Sequence, residues 1–141
     1  MRPLILSVVL LAAGSASAVG VSIEGAGGLW FNTTPQFQVT LGVHQALGEH
    51  VRIGLRSGVV LNLPGGAPQV AIPIDVGLRI RIHRVFLEPL GGPWFILGDP
   101  WFLRAHAGMA IGFLFSSFDI SVEGGWLQPS ALLVARFSYH F

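Results

Sequence analysis

The chain has 141 residues, and the first eighteen have the pattern of a removable leader, so the remainder is enough for one domain and too short for two. It is 52% hydrophobic and 11% charged, against about 25% charged residues in a typical soluble domain, and it contains neither cysteine nor lysine. After the leader, seven arginines balance seven acidic residues, which argues against a nucleic-acid partner, and the lack of cysteine excludes a disulfide scaffold and a thiol nucleophile.

Residues 1–18 follow the three-part layout of a secretory signal peptide. Arg2 supplies the positive start, residues 4–13 form an almost unbroken apolar run, and Ala16, Ser17 and Ala18 are the small residues expected before a cleavage site. The alternative is a short membrane anchor, but a spanning helix needs about 20 apolar residues. The sequence therefore predicts a cleaved signal peptide at 1–18 and one domain at 19–141.

From residue 19 onward, apolar and polar residues alternate with a period of two, which is the period of a β-strand. The fifth segment is the least regular, because Pro89, Gly91, Gly92 and Pro93 interrupt it. Shorter connections near 47–50, 83–84 and 114–117 alternate with longer ones near 31–35, 62–69, 92–101 and 128–130, which is typical of an up-and-down barrel whose short turns and termini share one end. The predicted strands are 20–30, 36–46, 51–61, 70–82, 85–91, 102–113, 118–127 and 131–141.

Charged residues follow the polar face of these strands. Glu49, Arg84 and Asp99 lie in connections, and eleven others lie opposite the aliphatic stripe. A soluble lipocalin-like barrel would turn that polar face to water, whereas a membrane barrel turns it into its own interior. Glycines between the charges, the absence of lysine and strands of about ten residues favour an all-β, membrane-spanning, eight-stranded antiparallel up-and-down β-barrel. The predicted interior charge network comprises Glu24, Arg52, Arg56, Asp75, Arg79, Arg81, Glu88, Arg104, Asp119, Glu123 and Arg136.

Aromatic residues gather near the predicted strand ends. Amphipathic rings prefer the two interfaces of a bilayer, so two belts are expected, although rings at strand ends also serve as ordinary core residues. The tryptophans lie near the longer connections, and several other aromatic residues lie near the short turns. The predicted interfacial aromatics are Trp30, Trp94, Trp101, Trp126, Phe113, Phe118 and Tyr139.

The C-terminal segment ends on Phe141, with Phe137 and Tyr139 on the same face before it. It resembles the closing strand of bacterial outer-membrane β-barrel proteins, although Arg136 stands where that pattern often has glycine. With the leader and the strand pattern, the chain is similar to small outer-membrane barrels of the OmpA-transmembrane and OmpX type. The resemblance implies an integral protein of the bacterial outer membrane with both termini periplasmic. It also implies contact with outer-membrane lipid, and an assembly signal at Phe137, Tyr139 and Phe141 that the barrel-assembly machinery reads.

The interior of an eight-stranded barrel is just wide enough for side chains to fill it. Because isolated buried charges are costly, the inward arginines are expected to pair with carboxylates. Candidate pairs are Arg79 or Arg81 with Glu88, and Arg104 with Asp119 or Glu123. Such pairs predict a plugged polar interior, with a narrow ion channel as the alternative.

The sequence predicts no catalytic, cofactor-binding or metal site. His44, His106 and His140 lie on the inward face, but on different strands and without a tight ligand spacing. Ser138 and His140 share that face at the short-turn end, away from the outer leaflet, and neither a nucleophile elbow nor a phosphate loop is present. We therefore expect no enzymatic activity.

Residues 91–102, GGPWFILGDPWF, are unusually apolar for an external loop. They are expected to form an aromatic girdle in the outer leaflet or, alternatively, a contact patch for a hydrophobic ligand or surface partner. The sequence thus predicts a structural or surface-interaction role. A narrow channel or hydrophobic-ligand carrier is the second possibility, and a soluble lipocalin-like binding barrel is the third.

Overall fold

Eight antiparallel strands close into one barrel in the computed structural model, which describes residues 19–30 and 34–141. Each strand pairs with its neighbour in sequence, and β8 pairs with β1 to complete the ring. The predicted fold class is confirmed, whereas the predicted signal peptide lies outside the described residues. The strands are β1 Val19–Trp30, β2 Thr34–Ala46, β3 Val51–Asn62, β4 Gln69–Ile82, β5 Val85–Ile96, β6 Leu103–Leu114, β7 Phe118–Leu127 and β8 Ser130–His140. Within the described part of the chain, no helix is long and apolar enough to cross a membrane.

The alternation of residue types becomes an alternation of exposure around the ring. In β2, Phe37 and Val39 are 57% and 60% exposed, whereas Gln38 between them is 4% exposed. The outward positions of the other strands are likewise rich in exposed aliphatic side chains. A barrel that shows aliphatic side chains outside and buries glutamine and charge inside has the arrangement expected in lipid, where backbone polar groups must be paired within a closed sheet.

The fifth strand is longer than the sequence predicts, because it continues to Ile96 through Pro89 and Pro93. Pairing with β6 is continuous across both prolines. On the β4 side, the pairs opposite both prolines are missing from the ladder. Proline lacks an N–H group, so each one removes ladder bonds on one side while the other side remains paired. Half of the predicted external segment 91–102 is therefore strand, and the loop itself is 97–102.

Short connections join the strands at both ends of the barrel. Connections 63–68, 97–102 and 128–129, together with the end of β1 and the start of β2, lie at one end, which we call the loop end. Connections 47–50, 83–84 and 115–117, the start of β1 and the end of β8 lie at the other, the turn end. The predicted alternation of short and long connections is incomplete, since the β7–β8 connection at the loop end has only residues 128 and 129.

Inward glycines make room for larger neighbours in the narrow interior. A Cβ atom built on Gly112 would lie 2.4 Å from the Phe86 ring, and one on Gly92 would lie 1.9 Å from the carbonyl oxygen of Ile74. Neither position accepts a side chain without a shift of its surroundings. The glycines on the polar face thus allow bulky residues from other strands to fill the centre.

Val122, near the middle of β7 and 49% exposed on the outer face, provides a test of the lipid-facing surface. We expect Val122→Arg to lower the free energy of unfolding by about 2–4 kcal/mol, because arginine at the bilayer midplane must leave water. Ile82→Arg, at the turn end of β4, is the matched control and should cost about 0–1 kcal/mol. Urea unfolding in phospholipid vesicles measures both, and equal costs would contradict the assignment of this face to lipid.

Candidate functional site in the barrel interior

The interior holds the predicted charges in three groups along the barrel axis. Nine of the eleven form salt bridges. Arg52 and Arg81 are the exceptions: both are exposed at the turn end and form no salt bridge with any described residue. The salt-bridged network is therefore smaller than the one predicted from the sequence, because Arg52 and Arg81 remain at its solvent-exposed edge.

The first group lies midway along the strands and spans the lumen. Arg56 and Asp75 are directly opposite in the β3–β4 ladder, with Nη2 3.1 Å from Oδ2. Arg56 also lies 3.5 Å from carboxylate oxygens of Glu24 and Glu123. Arg136 pairs with Glu123, and its Nε lies 3.4 Å from Oε2 of Glu24. With His106, these side chains form what we call the central ion cluster: Glu24, Arg56, Asp75, His106, Glu123 and Arg136.

His106 completes the central ion cluster, although the predicted charge network omits it. Its Nδ1 lies 2.8 Å from Oδ1 of Asp75, and its Nε2 lies 2.9 Å from Oε1 of Glu123. Nδ1 is hydrogen-bonded to Asp75, whereas Nε2 lies close to Glu123 without the geometry of a hydrogen bond. Trp94 donates from Nε1 to Asp75 at 3.1 Å, and its ring centroid lies 5.1 Å from that of His106. The sequence does indicate that His106 could join this cluster, because His106 shares the inward face of β6 with Arg104.

The second group, the turn-end ion cluster, comprises Arg79, Glu88, Asp119 and His140. Arg79 donates from Nε to Glu88 at 2.5 Å and from Nη1 to Asp119 at 2.7 Å. His140 Nε2 lies 2.6 Å from the same oxygen of Asp119. Of the pairs considered from the sequence, Arg79–Glu88 is present, and both members are mostly buried.

The third group is a single pair at the loop end, and it differs from the sequence prediction. Arg104 does not reach Asp119 or Glu123; it donates to Asp99 at 2.6 Å and to the carbonyl oxygen of Gln128 at 2.9 Å. The β6–β7 register explains the difference, since it places His106 opposite the last residue of β7 and leaves Arg104 beyond that strand's end. Burial alone would raise the pKa of Asp99, but the N–H of Trp101 and the guanidinium of Arg104 hold that pKa below its usual value.

A buried apolar group, the loop-end cluster, fills the lumen above the central charges. Trp30 and Trp94, predicted at the membrane interface, belong to it instead and are only 3% and 1% exposed. Trp30 donates from Nε1 to the carbonyl oxygen of Leu127 at 2.9 Å. Both tryptophans are an even number of residues from an inward glutamate on their own strand, so the strand period places them inside. The loop-end cluster comprises Trp30, Val60, Ala71, Trp94, Ile96, Leu127, Leu132 and Val134.

The other predicted interfacial aromatics point outward near strand ends. Trp101 and Trp126 are 64% and 46% exposed, and Phe113 and Tyr139 are also exposed. Phe118 is half-buried, with its ring stacked 4.4 Å from that of Phe115. Their positions are those expected of residues in contact with the edge of a bilayer.

The charged groups of the interior bind mainly to one another. Across the described ranges, no group of three or more histidine, cysteine, aspartate or glutamate side chains has an arrangement that could hold a metal ion. The carboxylates of the central ion cluster are nearly inaccessible, since Asp75 and Glu123 are each 1% exposed. The arrangement is therefore suited to filling and fixing the interior rather than to contact with a substrate there.

An apolar exterior, a closed ring of antiparallel strands and paired charges inside define a membrane-spanning, eight-stranded β-barrel. No family model matches the chain, and no curated protein matches it. Among solved structures, it is similar to the Yersinia pestis outer membrane protein Ail in a phospholipid bilayer nanodisc, with a TM-score of 0.60 and 14% identity over 89% of this chain and 99% of that chain.

Designed transmembrane β-barrels have the same fold. One matches with a TM-score of 0.66 and 13% identity, over 86% of this chain and 95% of that chain. The solution structure of the designed barrel TMB2.3 matches with a TM-score of 0.66 and 18% identity, over 90% and 98% of the two chains. At such low identity the likeness establishes the architecture alone.

Glu123 is the carboxylate with the most cationic neighbours in the central ion cluster, which makes it the sharpest test of that cluster. We expect Glu123→Gln to lower the free energy of unfolding by about 3–5 kcal/mol, because its buried cationic partners would lose their counter-charge. Glu49→Gln, in the exposed 47–50 connection, should change it by less than about 0.5 kcal/mol. Urea unfolding in vesicles distinguishes the two, and a Glu123→Gln barrel as stable as the control would rule out a stabilising role for the cluster.

The Arg104–Asp99 pair should give a pH-dependent contribution at the loop end. Because the pKa of Asp99 is depressed in the folded barrel from its ordinary 3.8, the contribution is complete above that value and is lost as the pH falls through the folded pKa. We expect Asp99→Asn to lower the free energy of unfolding by about 1 kcal/mol at pH 7 and by much less near pH 2. Parallel denaturant titrations at the two pH values measure this difference, and a pH-independent effect of the substitution would be inconsistent with the ion pair.

Proposed function

We propose that the protein is a non-conducting, non-enzymatic β-barrel integral to the bacterial outer membrane, with a structural or surface-interaction role. The observation that carries this proposal is the filling of the lumen at two levels. The central ion cluster joins β1, β3, β4, β6, β7 and β8 across the middle of the barrel. Above it, the loop-end cluster packs Trp30 and Trp94 with aliphatic side chains toward the loop end.

Outer-membrane residence has three independent supports. The outer surface is aliphatic along all its strands, as lipid contact requires. Residues 1–18 have the pattern of a secretory signal peptide. The chain also has the fold of Ail, which is an outer membrane protein.

The two ends of the chain support a periplasmic position for the turn end. The start of β1 and the end of β8 both lie there, so the two ends of the described strand ring are on one side of the barrel. Phe137 and Tyr139 are exposed on the outer face of β8, and Phe141 is exposed directly after it, as a signal read by the barrel-assembly machinery must be. We propose that these aromatic side chains are that signal.

The opposite end presents the surface available for contact outside the cell. Within the 97–102 connection, Leu97, Trp101 and Phe102 are 45%, 64% and 50% exposed. Trp94 and Ile96 of the original apolar segment are buried in the lumen, so the contact surface is smaller than the sequence predicts. The exposed side chains are suited to anchoring the loop end in the outer leaflet, and a hydrophobic partner would have to bind these same residues.

Ion conductance separates this proposal from the narrow-channel alternative. The purified barrel, inserted into a planar bilayer, should show no current steps above the background of the detergent alone, because apolar and ion-paired side chains occupy the lumen. An open porin in the same bilayers is the positive control. Reproducible voltage-driven steps from the native protein would overturn the plugged interior, and a larger step in Trp94→Ala would then identify the loop-end cluster as the constriction.

A further inference from the structure

The turn end of the interior carries like charges on adjacent positions. Arg52 of β3 is directly opposite Arg79 of β4 in the ladder, and both lie on the inward face. Arg81 follows two residues later on the same face of β4 and is therefore the diagonal neighbour of Arg52. Like charges on opposed positions of a sheet are destabilising, so this arrangement needs a compensating anion.

The inward carboxylates at this end are already engaged. Glu88 and Asp119 both accept from Arg79, and Asp119 also contacts His140. Neither Arg52 nor Arg81 forms a salt bridge with any described residue; Arg81 donates to the backbone oxygen of Glu49 at 3.5 Å, and the side chain of Glu49 lies in the exposed 47–50 connection. The turn-end opening therefore holds two guanidinium groups that no carboxylate of the described chain pairs in a salt bridge.

A cavity lies inside the opening, with Arg52 in its wall and Arg81 outside it. The wall also includes Arg79, His44 and His140, and the absence of a side chain at Gly54 helps to keep the cavity open. The carboxylates in the wall, Glu24, Asp75 and Glu88, are each paired with Arg56 or Arg79. The space available to the centres of water molecules is about 40 Å³, which corresponds to roughly three waters. That volume admits a phosphate group, while any larger remainder of a ligand would extend out through the opening.

We propose that the turn-end opening is a binding site for a phosphate group, held by Arg52 at the cavity wall and by Arg81, its diagonal neighbour at the rim. The planar guanidinium group presents paired N–H donors that match two phosphate oxygens, and a bound phosphate would offset the repulsion between the neighbouring arginines. His44 and Arg79 supply further donors from the cavity wall. This site goes beyond the structural role proposed above, because a filled lumen requires no pair of opposed arginines at its edge.

Two sources of phosphate could reach this opening, namely inorganic phosphate in the aqueous phase and the phosphomonoester of a lipid at the membrane edge. Both share the chemistry that the arginines recognise. The test therefore uses two probes: inorganic phosphate, and a water-soluble short-chain phosphatidic acid. Each is titrated calorimetrically into the folded barrel in a neutral maltoside detergent, at an ionic strength held constant with chloride.

Native protein should bind at least one probe saturably. Arg52→Gln combined with Arg81→Gln should weaken that binding by about tenfold or more, since two charge-assisted contacts are lost. Arg84→Gln is the control for a loss of positive charge at the same end of the barrel; it removes one charge where the double variant removes two, and Arg84 lies in the 83–84 connection and not beside Arg52 in the ladder. It should change affinity less than about twofold.

Gly54→Leu provides a second variant that leaves every charge in place. A Cβ on Gly54 meets its nearest atoms at 3.6 Å, so the backbone accepts a side chain that then occupies the cavity. We expect it to weaken binding as the double arginine variant does. Heat-modifiable gel mobility confirms that each variant is folded, and Arg52→Gln should be at least as thermostable as the native barrel without phosphate, because the opposed charge is gone.

The outcomes separate cleanly. Binding of inorganic phosphate identifies the free ion, whereas binding of phosphatidic acid alone identifies a lipid headgroup. The proposal is overturned if neither probe binds beyond chloride, or if Arg84→Gln weakens binding as much as the double variant does. Ion conductance by the native barrel would refute the plugged interior but would not affect the result for phosphate binding. Failure of the proposed function and failure of the phosphate site are therefore distinguishable.

Discussion

The structure depends on one constraint, which is that a backbone in lipid must satisfy all its hydrogen bonds within its own sheet. Closure of β1 onto β8 meets it, and closure also determines the face of every residue, because a strand cannot slip by one position without exchanging its two faces. Every second side chain of each strand must therefore fit into a lumen that is only a few side chains wide.

The charged side chains of the interior pair across the lumen as well as along the sheet. Glu24 on β1, Arg56 on β3 and Glu123 on β7 are in contact although their strands share no ladder. Such contacts bring together opposite walls of the barrel, which the ladder alone does not join. Because a buried charge without its partner is costly, each of these side chains restricts where the others can lie. The aliphatic exterior cannot supply that specificity, since one aliphatic contact with lipid is much like another.

The period of two was sufficient to predict the eight strands, their two faces and the inward position of the charges, because these properties depend only on local alternation. The same period places Trp30 and Trp94 inside, but the general preference of tryptophan for interfaces led to the wrong position for both. The volume of these two side chains is needed to fill the loop end of the lumen. That requirement depends on the diameter of the folded barrel, which local alternation does not give. The partner of Arg104 could not be predicted either, since Asp99 reaches it through the path of a connection and the β6–β7 register. The prolines and glycines of β5 predict an end at residue 91, whereas the strand continues to Ile96, because the effect of each proline on one neighbour only is a property of the assembled sheet.

The two ends of the lumen differ in a way that bears on what the barrel can do. At the loop end, apolar packing fills the interior and the nearby arginine is paired with Asp99. At the turn end, Arg52 lies in the wall of a small cavity and Arg81 is its diagonal neighbour in the ladder, and neither forms a salt bridge with any described residue. An anion that entered this opening would meet the paired charges before the loop-end cluster. With the lumen plugged as proposed above, such an anion would bind and leave on one side of the membrane, and positive charge at that end would serve binding rather than transport.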